Sequence, residues 1–265
     1  MDRIVVITGA SGGIGAELLK LYRAAGDTAV CISRSNPDGY APHYAADITD
    51  ETAVRTVMEA IGARFGRIDV LINNAGIGIS GALELLPVHK IRQVLDVNLF
   101  GTLIVTKLAL PYIGRGGKII NISSATAFFA LPFRGVYCTA KAGVNMFGYS
   151  LRAELLPLGI QVSSVCPGDT KSNFTANRIK NFETTGRYGD RIQNAASGID
   201  EKDGKRMPAA VMAAKIFKRI DKNRLKPDYL IGKKVVFLKI ISRFTTRSFM
   251  LKMTDKFFGG HGGVK

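Results

Sequence analysis

The sequence predicts a single α/β domain with a doubly wound parallel sheet, followed by a basic helical extension. Its 265 residues suffice for one large domain with a full core, and 46% apolar with 22% charged residues is ordinary for a globular protein. Short β-rich apolar runs alternate with helical stretches as far as about residue 230. Beyond that point basic residues dominate the charge, which distinguishes the extension from the domain.

The alternation assigns each element in chain order. We expect strands near 3–8, 28–33, 43–46, 69–72, 117–122, 160–166 and 228–231. We expect helices near 13–25, 51–64, 88–112, 136–157 and 208–221. No internal repeat and no low-complexity tract interrupts this pattern. The domain is therefore predicted to span residues 1–232, with a lid at about 172–207, and the extension residues 233–265.

Cysteine and histidine usage points to a cytoplasmic protein without a metal site. The first strand begins at residue 3, so we expect no signal peptide. Three widely spaced cysteines suit a reducing compartment and show neither a disulfide framework nor a zinc pattern. The three histidines are scattered, and no metal ligand is predicted among them.

A glycine-rich turn follows the first strand and leads into a helix. The turn runs from Thr8 and Gly9 through Ser11 to Gly13 and Gly15, with the spacing Gly-x-x-x-Gly-x-Gly. Glycines allow the backbone to approach a pyrophosphate, and the helix N-terminus offers free N–H groups and a partial positive charge. Strand, glycine-rich turn and helix in this order therefore predict a dinucleotide site.

A tyrosine and a lysine lie four residues apart in a predicted helix. The side chains of Tyr137 and Lys141 therefore share one face. A lysine cation favours the phenolate and lowers the tyrosine pKa from about 10, which suits proton transfer. Ser123 and Ser124 end a predicted buried strand shortly before this helix, and a serine hydroxyl brought beside the tyrosine can donate a hydrogen bond to a substrate oxygen.

Together these motifs resemble the short-chain dehydrogenase/reductase family, in its compact single-domain branch, over about residues 3–232. The residues that match in order and spacing are Thr8, Gly9, Gly13, Gly15, Asn73, Asn74, Ala75, Gly76, Asn98, Ser124, Tyr137, Lys141, Pro167 and Gly168. The resemblance implies a Rossmann fold. It also implies an NAD(P)-dependent enzyme that interconverts a carbonyl and a secondary alcohol.

The resemblance implies a catalytic set of Asn98, Ser124, Tyr137 and Lys141. Ser124 is expected to hydrogen-bond the substrate oxygen, and Tyr137 to transfer the hydroxyl proton. Lys141 is expected to lower the tyrosine pKa and to hold the nicotinamide ribose. Asn98 is expected to interrupt its helix and to link Lys141 to solvent through a water molecule.

The resemblance also implies the cofactor contacts. Asp47 matches an aspartate that contacts the adenine amino group, and the backbone of Pro167 and Gly168 is expected to contact the nicotinamide carboxamide. The expected cofactor-binding residues are Thr8, Gly9, Ser11, Gly13, Ile14, Gly15, Arg34, Asp47, Ile48, Asn74, Ala75, Gly76, Tyr137, Lys141, Pro167, Gly168 and Thr170. Relatives commonly have threonine four residues after the glycine of this loop, where this chain has Ser172.

Arg34 predicts NADP(H) as the cofactor in preference to NAD(H). It follows the second strand, at the position that faces the adenosine ribose, and no Asp or Glu occurs between Ala29 and Pro37. A carboxylate there would repel a 2′-phosphate, whereas a guanidinium pairs with it. The alternative is a solvated loop arginine. With NADPH as cofactor, we expect carbonyl reduction to be the working direction.

The extension leaves three interpretations open. Residues 215–265 contain 14 Lys and Arg against 3 Asp, a net charge of +11 out of the chain's +16. Phe237, Ile241 and Phe244, with Leu238 beside them, would form an apolar stripe on a helix. Such a helix can pack on the domain or a second subunit, lie on an anionic membrane, or bind nucleic acid. The sequence contains no nucleic-acid recognition motif that would support the third interpretation. No uncharged stretch is long enough to predict a spanning helix.

The predicted function is NADP(H)-dependent interconversion of a carbonyl and a secondary alcohol on a lipophilic substrate, such as a steroid, a keto lipid or an acyl thioester. The long polar lid argues against a very small substrate. The alternative is a non-catalytic NADP-binding sensor or scaffold, which the complete catalytic set speaks against. We expect a homodimer or homotetramer, possible peripheral membrane contact through the extension, and no nucleic-acid partner.

Overall fold

A seven-stranded parallel sheet lies at the centre of the computed structural model, which describes residues 2–171, 174, 178–180, 187–188, 190–200 and 206–258, with the backbone alone at 196–200 and 257–258. All seven predicted strands belong to this sheet. Its strands are β1 (Ile4–Thr8), β2 (Thr28–Ser33), β3 (His43–Ala45), β4 (Val70–Asn73), β6 (Lys118–Ile122), β7 (Gln161–Pro167) and β11 (Asp228–Ile231). Their order is β11-β7-β6-β4-β1-β2-β3, so the predicted doubly wound α/β fold is confirmed.

Helices cover both faces of the sheet and continue into the extension. They are α1 (Gly13–Ala24), α2 (Glu51–Phe65), α3 (Val88–Leu95), α4 (Gly101–Ala109), α5 (Gly135–Leu155), α6 (Arg191–Asp200), α7 (Ala209–Ile220), α8 (Lys233–Ile241) and α9 (Arg247–Phe258). Two small parallel pairs connect the region predicted as the lid, or its two ends, to the rest of the structure. They join β5 (Ile79–Ser80) to β9 (Ile179–Lys180), and β8 (Thr170–Lys171) to β10 (Met207–Pro208). Much of that region, including Ser172, lies outside the described residues.

Alternating side chains of the buried strands build a core on each face of the sheet. In β1, Ile4 and Val6 pack with residues of α2, α4 and α5, whereas Val5 and Ile7 pack with residues of α1 and α7. Successive side chains of a strand point to opposite faces, so one short apolar run supplies both layers. This two-sided burial holds the carboxyl ends of the strands in one row.

The helix predicted over residues 88–112 is divided by a π-helical turn. The turn spans Asp96–Phe100 between α3 and α4, and the Gly101 N–H donates to the Asp96 carbonyl five residues earlier. Such wide turns recur at functional sites. By length and composition Val88–Tyr112 is apolar enough to cross a membrane, but 44% of its most apolar window is buried, which makes it weak evidence for a span.

The extension forms two helices, of which α8 packs directly on the domain. An ideal Cβ at Gly168 would lie 2.9 Å from Val235 Cγ2, and Lys239 Nζ lies 3.9 Å from the centroid of the Phe128 ring. The predicted stripe of residues 237, 241 and 244 does not define the packed face. Instead Phe237 and Phe244 are exposed, because α8 is apolar on more than one side.

Candidate active site

A cavity of about 770 Å³ opens along the carboxyl ends of β1, β2, β4, β6 and β7. Ligands of open parallel sheets bind at this end of the strands. Most of the predicted site residues line it: Gly9, Ser11, Gly13, Ile14, Arg34, Asp47, Ile48, Asn74, Ala75, Gly76, Ser124, Tyr137, Lys141, Pro167, Gly168 and Thr170. The other three predicted residues, Thr8, Gly15 and Asn98, do not line the cavity but are buried behind the residues that form its wall.

The glycine-rich turn brings two backbone segments into close contact. Gly9 has φ of +67°, and a Cβ placed there would lie 2.7 Å from the Cα of Ala75. A Cβ at Gly15 would lie 2.4 Å from Asn74 Nδ2. Gly12, the N-cap of α1, offers no side chain to the first N–H groups of the helix. This arrangement fits a pyrophosphate at the N-terminus of α1.

Thr8 and Asn74 lock the turn to the strand end that follows β4. Thr8 Oγ1 accepts hydrogen bonds from the backbone N–H groups of Asn74 (3.0 Å) and Ala75 (3.1 Å), and Asn74 Nδ2 donates to the Thr8 carbonyl (3.1 Å). One residue earlier, Asn73 Nδ2 donates to Asn121 Oδ1 of β6 at 2.9 Å. Thr8 and Gly15, predicted to contact the cofactor directly, are therefore placed to support the wall.

The end of the cavity next to β2, where adenosine is predicted to bind, contains a cation and a carboxylate. The Arg34 side chain is 75% exposed, with Nη1 4.0 Å from Asp47 Oδ2. Asp47 Oδ1 accepts hydrogen bonds from Thr49 N (2.9 Å) and Thr49 Oγ1 (2.7 Å). Burial acts to raise the pKa of Asp47, but these hydrogen bonds and the Arg34 charge outweigh it and hold that pKa below its ordinary value. Arg34 thus pairs with Asp47 at the limit of an ion-pair distance while its side chain stays largely exposed.

The predicted catalytic residues Ser124, Tyr137 and Lys141 converge at the other end. Ser124 follows β6 and caps a short 3₁₀ turn, where its Oγ accepts from Thr126 N at 3.2 Å. Ser124 also lies near enough to Tyr137 to act on its phenol, whose pKa it lowers. Lys141 lies one turn along α5, with Nζ 5.9 Å from the centroid of the Tyr137 ring and donating to the Ile122 carbonyl at 3.0 Å.

The electrostatics of this pair differ from the prediction. Burial raises the pKa of Tyr137 to about 12, and it does so against Ser124 and the charges of Arg134 and Arg178, which lower it. Burial likewise lowers the pKa of Lys141 to about 8. The tyrosine pKa is thus raised overall rather than lowered, because removing water disfavours both charged forms, and the effect of Lys141 on that pKa stays a prediction. Tyr137 is a neutral phenol at pH 7.

Asn98 lies in the π-helical turn, fully buried beneath Gly76. Its Nδ2 donates to the carbonyls of Ile77 (2.8 Å) and Val94 (2.9 Å), and its Oδ1 accepts from Ile77 N (3.1 Å). A Cβ at Gly76 would lie 2.5 Å from Asn98 Oδ1 and 3.6 Å from Lys141 Nζ. Asn98 thus lies where its helix is interrupted, as expected, and holds the Gly76–Ile77 segment next to Lys141. The water molecule expected to link Lys141 to solvent stays a prediction.

Several residues of the cavity were missed by sequence reasoning. Arg134 precedes Tyr137 by three residues, and burial lowers the pKa of its guanidinium. Its position directly before the helix that contains Tyr137 could have identified it from the sequence. Phe174 lies with its ring centroid 5.8 Å from that of Tyr137. Val235 and Leu238 of α8 line the cavity without any local motif that places them there.

No metal-binding group is evident in the described part of the chain. Those residues contain no group of three or more His, Cys, Asp or Glu side chains able to hold an ion. Cys31, Cys138 and Cys166 are buried free thiols.

Comparisons with known proteins agree on one family. The short chain dehydrogenase profile matches residues 3–182. The chain is 36% identical to a 3-ketodihydrosphingosine reductase of Bacteroides thetaiotaomicron, covering 76% of this chain and 77% of the relative. It is 32% identical to a probable short-chain type dehydrogenase/reductase of Helicobacter pylori, covering 89% and 90%. A short-chain dehydrogenase structure from Streptomyces avermitilis superposes with a TM-score of 0.80 at 25% identity, over 97% and 98% of the two chains.

Proposed function

Since the chain belongs to the short chain dehydrogenase family, we propose that it is an NADP(H)-dependent reductase of a lipophilic ketone, with a keto lipid as the substrate class. Members of this family are oxidoreductases that act on CH–OH groups and use NAD(P)(H). The finer assignments concern the cofactor, the direction and the substrate. Each is supported by a different part of the cavity.

The observation that most supports a lipophilic substrate is the apolar wall beside Tyr137. The cavity lining includes the apolar residues Phe129, Leu131, Phe174, Val235 and Leu238, and the centroid of the Phe174 ring lies 5.8 Å from that of Tyr137. Such a wall favours the hydrocarbon part of a substrate, because binding removes apolar surface from water on both sides. The similarity to a 3-ketodihydrosphingosine reductase supports a keto lipid over a steroid or an acyl thioester.

The cofactor end supports NADP(H). The glycine turn and the N-terminus of α1 would hold the pyrophosphate, and Arg34 would pair with a 2′-phosphate. When bound, NADPH supplies the hydride. Arg34 suits this role because its guanidinium is exposed at the cavity and is 4.0 Å from the nearest carboxylate oxygen of Asp47.

Tyr137 supports reduction as the working direction. A phenol with a pKa of about 12 keeps its proton at pH 7 and donates it to the carbonyl oxygen as that oxygen gains negative charge. Ser124, which lies near Tyr137, orients the same oxygen. The charges of Arg134 and Arg178 favour the phenolate that proton donation leaves behind.

The decisive test follows NADPH absorbance with a panel of 3-keto lipids, steroid ketones and short water-soluble ketones. We expect the highest kcat/KM with a long-chain keto lipid and a preference for NADPH over NADH. Preference for NADH would contradict the role of Arg34. Tight NADPH binding with no turnover of any ketone would favour the alternative, a non-catalytic NADP-binding sensor or scaffold.

The extension also supports peripheral membrane contact. Phe244 is 84% exposed, and Phe237 and Ile240 are more than half exposed. Lys233, Lys234 and Arg243 are exposed on the same helix or directly after it, and each basic group near an anionic surface contributes about 1 kcal/mol. The proposed occupant of this face is an anionic lipid bilayer, because the exposed apolar groups are surrounded by cations.

Co-sedimentation with phosphatidylserine-containing vesicles tests this contact. We expect binding at low salt, release at high salt, and loss of binding when Phe237 and Phe244 are replaced by serine. Failure to sediment at low salt would contradict it, and a concentration-dependent change in mass would point to a second copy on this face. The homodimer or homotetramer and the cytoplasmic location stay predictions.

A further inference from the structure

Helix α8 presents apolar side chains to two different environments. Val235 and Leu238, three residues apart and therefore on one side of the helix, line the active-site cavity. Phe237 and Ile240 point away from it, with 62% and 53% of their surface exposed. One side of α8 thus belongs to the site although the helix follows the last strand of the sheet.

Two contacts fix α8 over the reacting end of the cavity. Val235 packs on Gly168, whose N–H donates to the Ile231 carbonyl at 2.8 Å, so the helix rests on the loop that follows β7. Lys239 Nζ lies 3.9 Å above the ring of Phe128, four residues after Ser124. The position of α8 is therefore tied to the loops on either side of the reacting centre.

We propose that Val235 and Leu238 form the part of the substrate site that contacts the hydrocarbon chain several carbons beyond the reacting carbonyl, so that the extension sets substrate selectivity. The choice of ligand rests on the proposed reductase function. Losing contact with one or a few methylenes in an apolar site changes kcat/KM by about 10- to 200-fold. Truncating Leu238 should therefore lower kcat/KM more for long substrates than for short ones.

The test compares Leu238→Ala with Phe237→Ala, a control on the same helix that does not line the cavity. Ethyl 3-oxoalkanoates with acyl chains from four to ten carbons serve as probes, with NADPH absorbance as the signal. We expect Leu238→Ala to lower kcat/KM about tenfold for the longest ester. The shortest ester and NADPH binding should be unaffected, and Phe237→Ala should change neither. Equal losses in both variants, or no chain-length dependence in Leu238→Ala, would overturn the proposal.

A second measurement separates this proposal from the reductase function. The chain contains no tryptophan, so a single introduced one is a unique fluorophore. We expect Leu238→Trp to emit at shorter wavelength than Phe237→Trp, and decanol to shift the emission of Leu238→Trp alone. If the wild type reduces no ester, the reductase function fails while this emission still decides the proposal. Identical emission from the two variants, unmoved by decanol, would overturn it.

Discussion

The two ends of the cavity are built in different ways. At the cofactor end, short segments after β1 and β4 interlock through Thr8, Asn74 and the close approach of Gly9 to Ala75. At the substrate end, Phe174 and Leu238 come from segments far apart in the chain and line the same cavity, where the centroid of the Phe174 ring lies 5.8 Å from that of Tyr137. The comparison teaches that the shared chemistry is encoded in short motifs. The substrate end is built from segments that only folding brings together.

The largest effect should come from Tyr137→Phe, at the boundary between the two ends. The change removes the transferable proton but keeps the ring, so we expect kcat to fall by about 10²- to 10⁴-fold. NADPH binding, measured by fluorescence titration, should stay unchanged. The control is Tyr149→Phe on the same helix, whose hydroxyl donates to Asp228 Oδ2 at 2.9 Å outside the cavity. A Tyr137→Phe enzyme that retains most of its kcat would remove Tyr137 from the proposed role.

Lys141 should make stability depend on pH in a defined window. Its folded pKa of about 8 lies below the ordinary value of 10.5, so between these values the unfolded chain binds more protons and stability rises with pH. Relative to Lys141→Met, we expect the wild type to gain about 3 kcal/mol in unfolding free energy from pH 7 to 10.5.

Urea unfolding of both proteins across that range measures this gain. Lys107→Met serves as the control, because it removes a lysine whose side chain is 71% exposed. Parallel curves for the wild type and Lys141→Met would show that the ammonium is not buried as the structure places it.

Arg34→Asp tests the cofactor end alone. Replacing the cation by a carboxylate should weaken NADP binding by about 10- to 100-fold, since a hydrogen bond to a charged group contributes about 1.5–3 kcal/mol, and should improve NAD relative to NADP. The ratio of dissociation constants for the two nucleotides measures this. Arg115→Asp, at an exposed position before β6, is the control. An unchanged ratio in Arg34→Asp would leave Arg34 as a solvated loop residue.

The smallest expected effect is on the free energy with which α8 stays packed on the domain. Lys239→Met removes a cation 3.9 Å above the Phe128 ring, and we expect the opening free energy of α8 to fall by about 0.5–1 kcal/mol. Amide hydrogen exchange within Lys233–Ile241 measures that opening. Lys234→Met, at an exposed position of the same helix, should leave it unchanged. Equal exchange in both variants would mean that this contact does not secure the helix.

The sequence by itself determined the sheet and the positions of its motifs. Apolar runs such as Ile4–Ile7 mark buried strands, because a strand covered on both faces needs apolar side chains on both. Glycine spacing and the four-residue separation of Tyr137 from Lys141 are likewise local properties. They placed most of the predicted site residues along one cavity before any contact was known.

Tertiary structure decided the pKa values and side-chain positions that depend on contacts between distant segments. Burial, which no local pattern reports, raised the pKa of Tyr137 against the sequence-based expectation. Packing placed Thr8 and Gly15 behind the cavity wall. It also turned Val235 and Leu238 inward while leaving Phe237 exposed, since an apolar helix has no single preferred side until a partner surface selects one.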